Sequence, residues 1–280
     1  MFKTILVPVD GSTDSWIAAD QAIEIAKEEK AKILGLFVVD ARVAAAPYVA
    51  PTDPDLMDGD YILIEGFQEI EKSFRERGQQ VLEGLKNRCL KQGVPCETVL
   101  TEGIVEKEIV EQAEDSDLVV MGKRGLGAKW AGFLLGSTLE AVVRRSPKPV
   151  LATHHSPRVI QRILVAFDGS DRAWDALKIV AHWSAERKRE VVLLTVDDGK
   201  PGRKEANEKA ADYLAGLGVS FKSSMPKGHA AEMILSTADE EKCDLIALGA
   251  YGRSRFVEIL FGSTVDDVLH GAQVPVLITR

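Results

Sequence analysis

Two aspartates, Asp10 and Asp168, each begin an Asp-Gly-Ser triplet directly after a short apolar run, Ile5 to Val9 and Ile163 to Phe167. A carboxylate at the end of a strand can accept a hydrogen bond from a ribose hydroxyl or a base amine. Later in each half come spaced glycines, Gly122, Gly125 and Gly136 in the first and Gly249, Gly252 and Gly262 in the second. Without a Cβ, backbone N–H groups at such positions can approach phosphate oxygens. Ser137 and Thr138 follow the first set and Ser263 and Thr264 the second, where a helix start would offer free amides and a positive dipole end to an anion. Together these residues point to nucleotide binding. Taken singly they are weaker, because Asp-Gly-Ser is also an ordinary turn and helix cap and a glycine pair is an ordinary loop.

What strengthens the reading is that the whole constellation occurs twice. From Ile5 to Ala18, eight of fourteen positions are identical to those from Ile163 to Ala176, at a constant offset of 158. Near the ends, Met121 to Gly125 and Leu135 to Thr138 are echoed by Leu248 to Gly252 and Phe261 to Thr264, at offsets of 127 and then 126. The first copy therefore carries about 31 extra residues between its motifs and one extra residue inside the glycine loop. Two diverged copies of one domain make up the chain.

The elements that must position these residues alternate between strands and helices. In the first copy, strands are expected at Thr4 to Val9, Lys32 to Val39, about Glu97 to Thr101, Leu118 to Met121 and Pro149 to Thr153. Ser12 is the expected N-cap of a helix to about Glu29 that buries Ile17, Ala18, Ala22 and Ile25. Pro47, Pro51 and Pro54 mark a loop, followed by a long helix with Phe67, Ile70, Phe74, Val81 and Leu85 and a last one from Gly136 to Arg145. The second copy repeats this order, with only Pro201 to Leu217 between its second and third strands. Apolar strands separated by amphipathic helices imply a parallel sheet covered on both faces. In such a sheet ligands sit at the carboxyl ends of strands where the winding reverses. Asp10 and Gly122 would then face each other across one crevice.

Composition bounds the alternatives. The chain has 280 residues, 45% apolar and 28% charged, within the range of ordinary globular proteins. A net charge of −8 repels nucleic-acid backbones and anionic membrane surfaces, so neither is an expected partner. The N-terminal apolar run is too short for an export signal and no stretch is long enough to span a membrane, which makes the cytoplasm the expected location. Cys89, Cys96 and Cys243 lack CxxC spacing and read as reduced structural thiols.

These residues carry a resemblance to the universal stress protein family over the whole chain, as a tandem pair of its domains. Nucleotide-binding members are marked by Gly, two residues, Gly, nine residues, Gly and Ser or Thr. Gly249, Gly252, Gly262 and Ser263 match that spacing, and Gly122, Gly125, Gly136 and Ser137 match it with ten residues in the long gap. The family's early strand ending in Asp falls on Asp10 and Asp168, its adenine-reading backbone position on Val38 and Val196, and a glycine before its third helix on Gly103 and Gly228. The resemblance implies an α/β architecture of two doubly wound domains, residues 1–153 and 162–280 joined by a linker at 154–161. Each would be a five-stranded parallel sheet flanked by helices, like that of the adenine nucleotide alpha hydrolases. It further implies ATP or AMP as a regulatory ligand in a stress response, with Mg2+ as a companion of the phosphates. The last strands, Pro149 to Thr153 and Pro275 to Thr279, would pair antiparallel and make an intrachain pseudo-dimer, and a homodimer of whole chains would be a further assembly.

Other residues weigh less. His154 and His155 read as solvated linker, His229 as a surface cap near the crevice, and Trp16 and Trp174 as core or inter-domain packing. Lys123, Arg124, Arg253 and Arg255 lie in or beside the glycine loops and could neutralise phosphate, and Tyr48 could stack on a base. No GxSxG, HExxH or two-metal acidic pattern is present, which leaves a slow ATPase or nucleotidyl-transferring enzyme as the second reading. An interaction adaptor with degenerate sites is the third. By glycine spacing the second site is expected to hold phosphate more securely than the first.

Overall fold

The computed structural model describes residues 2–44, 59–125, 136–250 and 263–280. The first copy runs β1 (Thr4–Pro8), α1 (Thr13–Glu29), β2 (Lys32–Asp40), α2 (Ala41–Ala44), α3 (Gly59–Lys91), β3 (Cys96–Gly103), α4 (Val105–Ala113), β4 (Leu118–Gly122), α5 (Ser137–Arg145) and β5 (Val150–Thr153). The second runs β6 (Arg162–Ala166), α6 (Asp171–Arg187), β7 (Glu190–Leu194), α7 (Arg203–Gly216), β8 (Phe221–Ser224), α8 (Ala230–Glu240), β9 (Leu245–Gly249), α9 (Ser263–Gly271) and β10 (Val276–Thr279). The expected elements are present, α4 and α8 being the third helices that the resemblance places after Gly103 and Gly228, with the short α2 added. The loop at Pro47, Pro51 and Pro54, with Tyr48, lies outside the described residues.

Strand alternation explains the continuous apolar runs. Ile5 and Val7 of β1 point into one core layer and Leu6 into the other, and Ile163, Val165 and Leu164 of β6 do the same. The first layer also holds Ala18, Ala22 and Ile25 of α1, Leu85 of α3, Leu177 of α6 and Leu214 of α7. The second holds Ile109 of α4, Leu139 of α5, Ile234 of α8 and Val268 of α9. Both faces are covered, so the inner strands have no polar side to show, while the edge strands β3 and β8 expose Glu97, Glu102, Lys222 and Ser223. Ile17, placed by periodicity on the buried face of α1, is only half-buried, and Ala19, Ile23 and Gln21 are buried instead.

The strands form one ten-stranded sheet in the order β3-β2-β1-β4-β5-β10-β9-β6-β7-β8. All pairs within each copy are parallel. Between the copies β5 and β10 pair antiparallel, Val150 with Ile278, Leu151 with Leu277 and Ala152 with Val276. The expected pseudo-dimer is thus formed by the last strands.

Other contacts seal this joint. Trp183 of α6 is 1% exposed and meets Phe2 edge-on, with ring centroids 5.7 Å apart. Arg189, 2% exposed, stacks on Trp183, donates to the carbonyl of Ile160 at 2.8 Å and pairs with Glu28 of α1. The linker is docked, which corrects its reading as a solvated tether: Ile160 is buried, and Gln21 exchanges two hydrogen bonds with the backbone of Arg158 at 2.7 and 3.0 Å. Trp16 and Trp174 pack inside their own copies, Trp16 under Arg88 of α3 and Trp174 against Phe167 and Tyr213. Among the described residues the tryptophan that meets the other copy is Trp183, through Phe2, and sequence reasoning passed it over.

Candidate functional site

In each copy the chain leaves its first strand through a turn that the aspartate itself builds. Asp10 Oδ1 accepts from the amide of Ser12 at 2.9 Å, and Ser12 Oγ then accepts from the amide of Ser15 at 3.2 Å to cap α1. Asp168, Ser170 and Ala173 repeat this at 2.9 and 3.2 Å. Between them Gly11 and Gly169 sit at φ of +82° and +80°, a left-handed conformation that glycine adopts without a Cβ clash. The ordinary turn and cap are therefore real, and they aim the carboxylate.

The winding reverses between β1 and β4, so the turn at Asp10 and the loop after Gly122 open on one crevice. Gly122 ends β4 against the first turn of α1. A Cβ there would lie 2.8 Å from the carbonyl carbon and oxygen of Asp14, and one at Gly249 would lie 2.6 Å from the amide of Ala173. Both glycines are thus required for strand and helix to approach, a reason separate from any phosphate.

Gly125 and Gly136 shape the crevice. A Cβ on Gly125 would stand 3.0 Å from Asp10 Oδ2, and one on Gly136 would stand 3.2 Å from the Lys123 carbonyl and 3.8 Å from the Gly125 amide nitrogen. The Gly136 amide donates to the Lys123 carbonyl at 2.9 Å. Gly136 is the N-cap of α5 and supplies no side-chain cap, so Ser137 and Thr138 open a helix whose first amides face the loop. The structure therefore brings Asp10, Gly122, Gly125, Gly136, Ser137 and Thr138 together. The register that pairs Pro8 with Leu36 carries Val38 level with Asp10 on the adjacent strand, where it is half-buried over the second core layer.

Basic groups gather beside this loop. Lys123 reaches across the joint and donates to the carbonyl of Ala272, just past α9, at 3.0 Å. Burial, helped by the charge of Arg124, lowers its pKa to about 8. Arg124 lies 3.4 Å from Asp14. His154, expected in solvated linker, is half-buried, and burial with the charges of Lys123, His155, Arg158 and Arg124 lowers its pKa to about 4.

The second copy repeats the frame and changes its cover. The register pairing Ala166 with Leu194 carries Val196 level with Asp168, while Gly252, Gly262, Arg253 and Arg255 lie outside the described residues. Ser263 and Thr264 open α9, as expected. Arg203, the first residue of α7, hydrogen-bonds the Asp168 carbonyl, stands 3.9 Å from the Asp168 carboxylate and pairs with Asp198 at 2.9 Å. Arg203 and Lys200 hold Asp198 well below the usual carboxylate range. Sequence reasoning missed Arg203 and Asp198, since a basic residue at a helix start carries no signal of what it will reach. His229 is the N-cap of α8 without a capping side-chain bond, and Gly228 before it sits at φ +150°. Room beside Gly103 is filled by Glu108, which accepts from Thr101 Oγ1 at 2.9 Å.

No helix among the described residues is long and apolar enough to cross a membrane, and none of their His, Cys, Asp and Glu side chains form a cluster of three able to hold a metal. Comparison with known proteins joins this geometry to a family. The sequence profile of the Universal stress protein family matches residues 1–154 and 200–280. A universal stress protein of Synechocystis sp. is 28% identical over 288 residues, 99% of this chain and 100% of that protein. One from Methanocaldococcus jannaschii is 36% identical over 154 residues, 54% of this chain and 81% of that protein. The crystal structure of a universal stress protein from Archaeoglobus fulgidus shares the fold with a TM-score of 0.76 at 24% identity, covering 99% of this chain and 98% of that one. With a profile match over most of its length and the doubly wound fold in both halves, the chain belongs to the universal stress protein family.

Proposed function

We propose that the chain binds an adenine nucleotide, ATP or AMP, as a regulatory ligand in the crevice between Asp10 and the glycines Gly125 and Gly136. The observation that carries this reading is the convergence of a carboxylate, a loop whose glycines a Cβ would crowd, and an uncapped helix start within one reversal of the sheet. Asp10 would take a ribose hydroxyl or base amine, the backbone of Val38 would read adenine, and amides around Gly125, Gly136, Ser137 and Thr138 would hold phosphate. Lys123 and Arg124 add positive charge at that end. Asp168, Val196, Gly249, Gly252, Gly262, Ser263 and Thr264 would form the matching second site. Any Mg2+ would arrive on the nucleotide phosphates, which commonly supply its ligands alongside one or two carboxylates.

The test is mass spectrometry of gently purified, denatured protein, followed by calorimetry with ATP, ADP and AMP. Retained ATP or AMP and saturable binding are expected. Steady release of ADP from added ATP would favour the slow ATPase. Failure of all three nucleotides to bind would leave the adaptor reading.

A further inference from the structure

Cys89 lies in the last turns of α3 and Cys96 is the first residue of β3. The turn between them is tight: the amides of Gln92 and Val94 both donate to the Cys89 carbonyl at 3.0 Å, and Gly93 takes a φ of +69°. It folds the start of β3 back onto the helix end, so that Cys96, whose thiol donates to the Glu97 carbonyl at 3.7 Å, packs against the buried cluster that holds Cys89. Cys89 is fully buried and Cys96 half-buried.

The second copy shows what packing alone requires at this place. Ile33 pairs with Cys96 as Val191 pairs with Phe221, and the Val94 bond to Cys89 is repeated by Val219 to Leu214 at 3.1 Å. Leu214 and Phe221 thus stand where Cys89 and Cys96 stand, and both belong to the same core layer. Apolar volume suffices there, so the two adjoining thiols of the first copy are a feature that packing does not demand. We propose that Cys89 and Cys96 are a redox-active pair that closes to an intrachain disulfide when a peroxide reaches Cys96.

The chemistry suits the pair. The neighbouring Cys89 and the charge of Lys86 favour the Cys96 thiolate, against burial and Glu97, while the neighbouring Cys96 and then burial raise Cys89. The Cys96 thiolate attacks one peroxide oxygen, the O–O bond breaks, and hydroxide leaves and is protonated to water. Cys96 is then a sulfenic acid. Cys89 sulfur attacks Cys96 sulfur, the S–S bond forms as the S–O bond breaks, and the Cys89 proton leaves with the departing hydroxide as water. Two thiols and one peroxide give one disulfide and two waters. The product ties the end of α3 to the edge strand β3. Cys243, in the other core layer and raised by burial to about 12, should take no part.

The experiment treats the full chain with hydrogen peroxide, blocks remaining thiols in denaturant and maps the peptides. The expected result is a fall from three free thiols to one, loss of the mass of two hydrogens, a Cys89–Cys96 linked peptide, and recovery with a dithiol reductant. Cys89→Ser should leave Cys96 as a trappable sulfenic acid, and Cys243→Ser should close the pair as the parent chain does. Mapping the parent chain decides even if a variant fails to fold. Three unmodified thiols, oxidation of Cys96 with Cys89 still free, or a linkage to Cys243 or to a second chain would each overturn the proposal.

Discussion

The two copies share a frame down to single hydrogen bonds and differ in what stands over it. In the first, Asp10 is half-buried and faces Gly125, and Val81 and Arg77 of α3 lie beside Gly11. In the second, the Asp168 side chain is 48% exposed, Ala206 of α7 takes the place beside Gly169, and Arg203 engages both Asp168 and Asp198. Strand, turn and cap are written in the residues that form them, so the copies keep them alike. The environment of the carboxylate is set by the segment between the second and third strands, where the copies differ most in length. The same frame can therefore present two carboxylates of unequal burial to a ligand.

Symmetry also breaks at the joint, where the largest effect is expected. Arg189 occupies the position that Ala31 holds in the first copy, and Trp183 the position of Ile25. Arg189→Ala would leave the carbonyls of Ile160 and Trp183 without that donor and Glu28 without its partner. A loss of about 2–4 kcal/mol is expected, at roughly 1–3 kcal/mol for each buried carbonyl left unmet, while Glu28, 37% exposed, turns to water; urea unfolding reads it. A change below about 1 kcal/mol, the value of an exposed pair, would show that β5 and β10 hold the copies together without it.

The shared frame can be challenged next. Gly122→Ala and Gly249→Ala each force a Cβ against the backbone of the first helix, at 2.8 and 2.6 Å. Both should destabilise by roughly 1–3 kcal/mol, the usual cost of overpacking. Similar thermal shifts in the two variants would support a common frame, and a clear inequality would break it.

How much of this was legible in the sequence depends on how local the cause is. The apolar runs, Ser12 and Ser170 as caps, and the order of strands could be read because each rests on residues close in the chain. The pairing of β5 with β10 followed from the family resemblance, not from periodicity. Arg189 was invisible, since a single arginine before a strand reads as solvated until a second domain packs over it. His154 was misread for the same reason. The role of Gly122 and Gly249 in letting α1 and α6 approach was hidden behind their part in a glycine motif, and the contact between Cys89 and Cys96 depends on a turn that spacing alone does not reveal.

The unequal aspartates give the third test. Glycine spacing favours the second site, whereas burial favours the first, because a hydrogen bond made away from water costs more to lose. Asp10→Ala should weaken nucleotide binding by about 1–3 kcal/mol, or roughly five- to hundred-fold. Asp168→Ala should cost less, since its carboxylate is exposed and already faces Arg203. Calorimetry on both variants checks the order, and a larger loss at Asp168 would restore the ranking that spacing suggests.

The smallest effect concerns two charges beside the first loop, Lys123 and His154. Lys123 stands where the second copy has Ala250, and its pKa lies at about 8, below its ordinary 10.5, because burial disfavours the ammonium. Between these values the unfolded chain binds the proton that the folded chain has released, so stability should rise as pH goes from about 8 to 10.5. His154 acts in the same sense between about 4 and its ordinary 6.5, and below about 4 the folded chain bears the full cost of charging it. Both side chains retain some access to water, so each slope should amount to no more than about 1 kcal/mol. Lys123→Ala makes the first copy resemble the second and should flatten the alkaline slope and, by removing a charge that lowers His154, soften the acidic one, while His154→Gln should flatten the acidic one alone. Urea unfolding across the two pH windows separates them. An alkaline slope unchanged in Lys123→Ala would mean that the contact with Ala272 keeps the ammonium as stable in the joint as in water, and the asymmetry between Lys123 and Ala250 would then carry no linkage to pH.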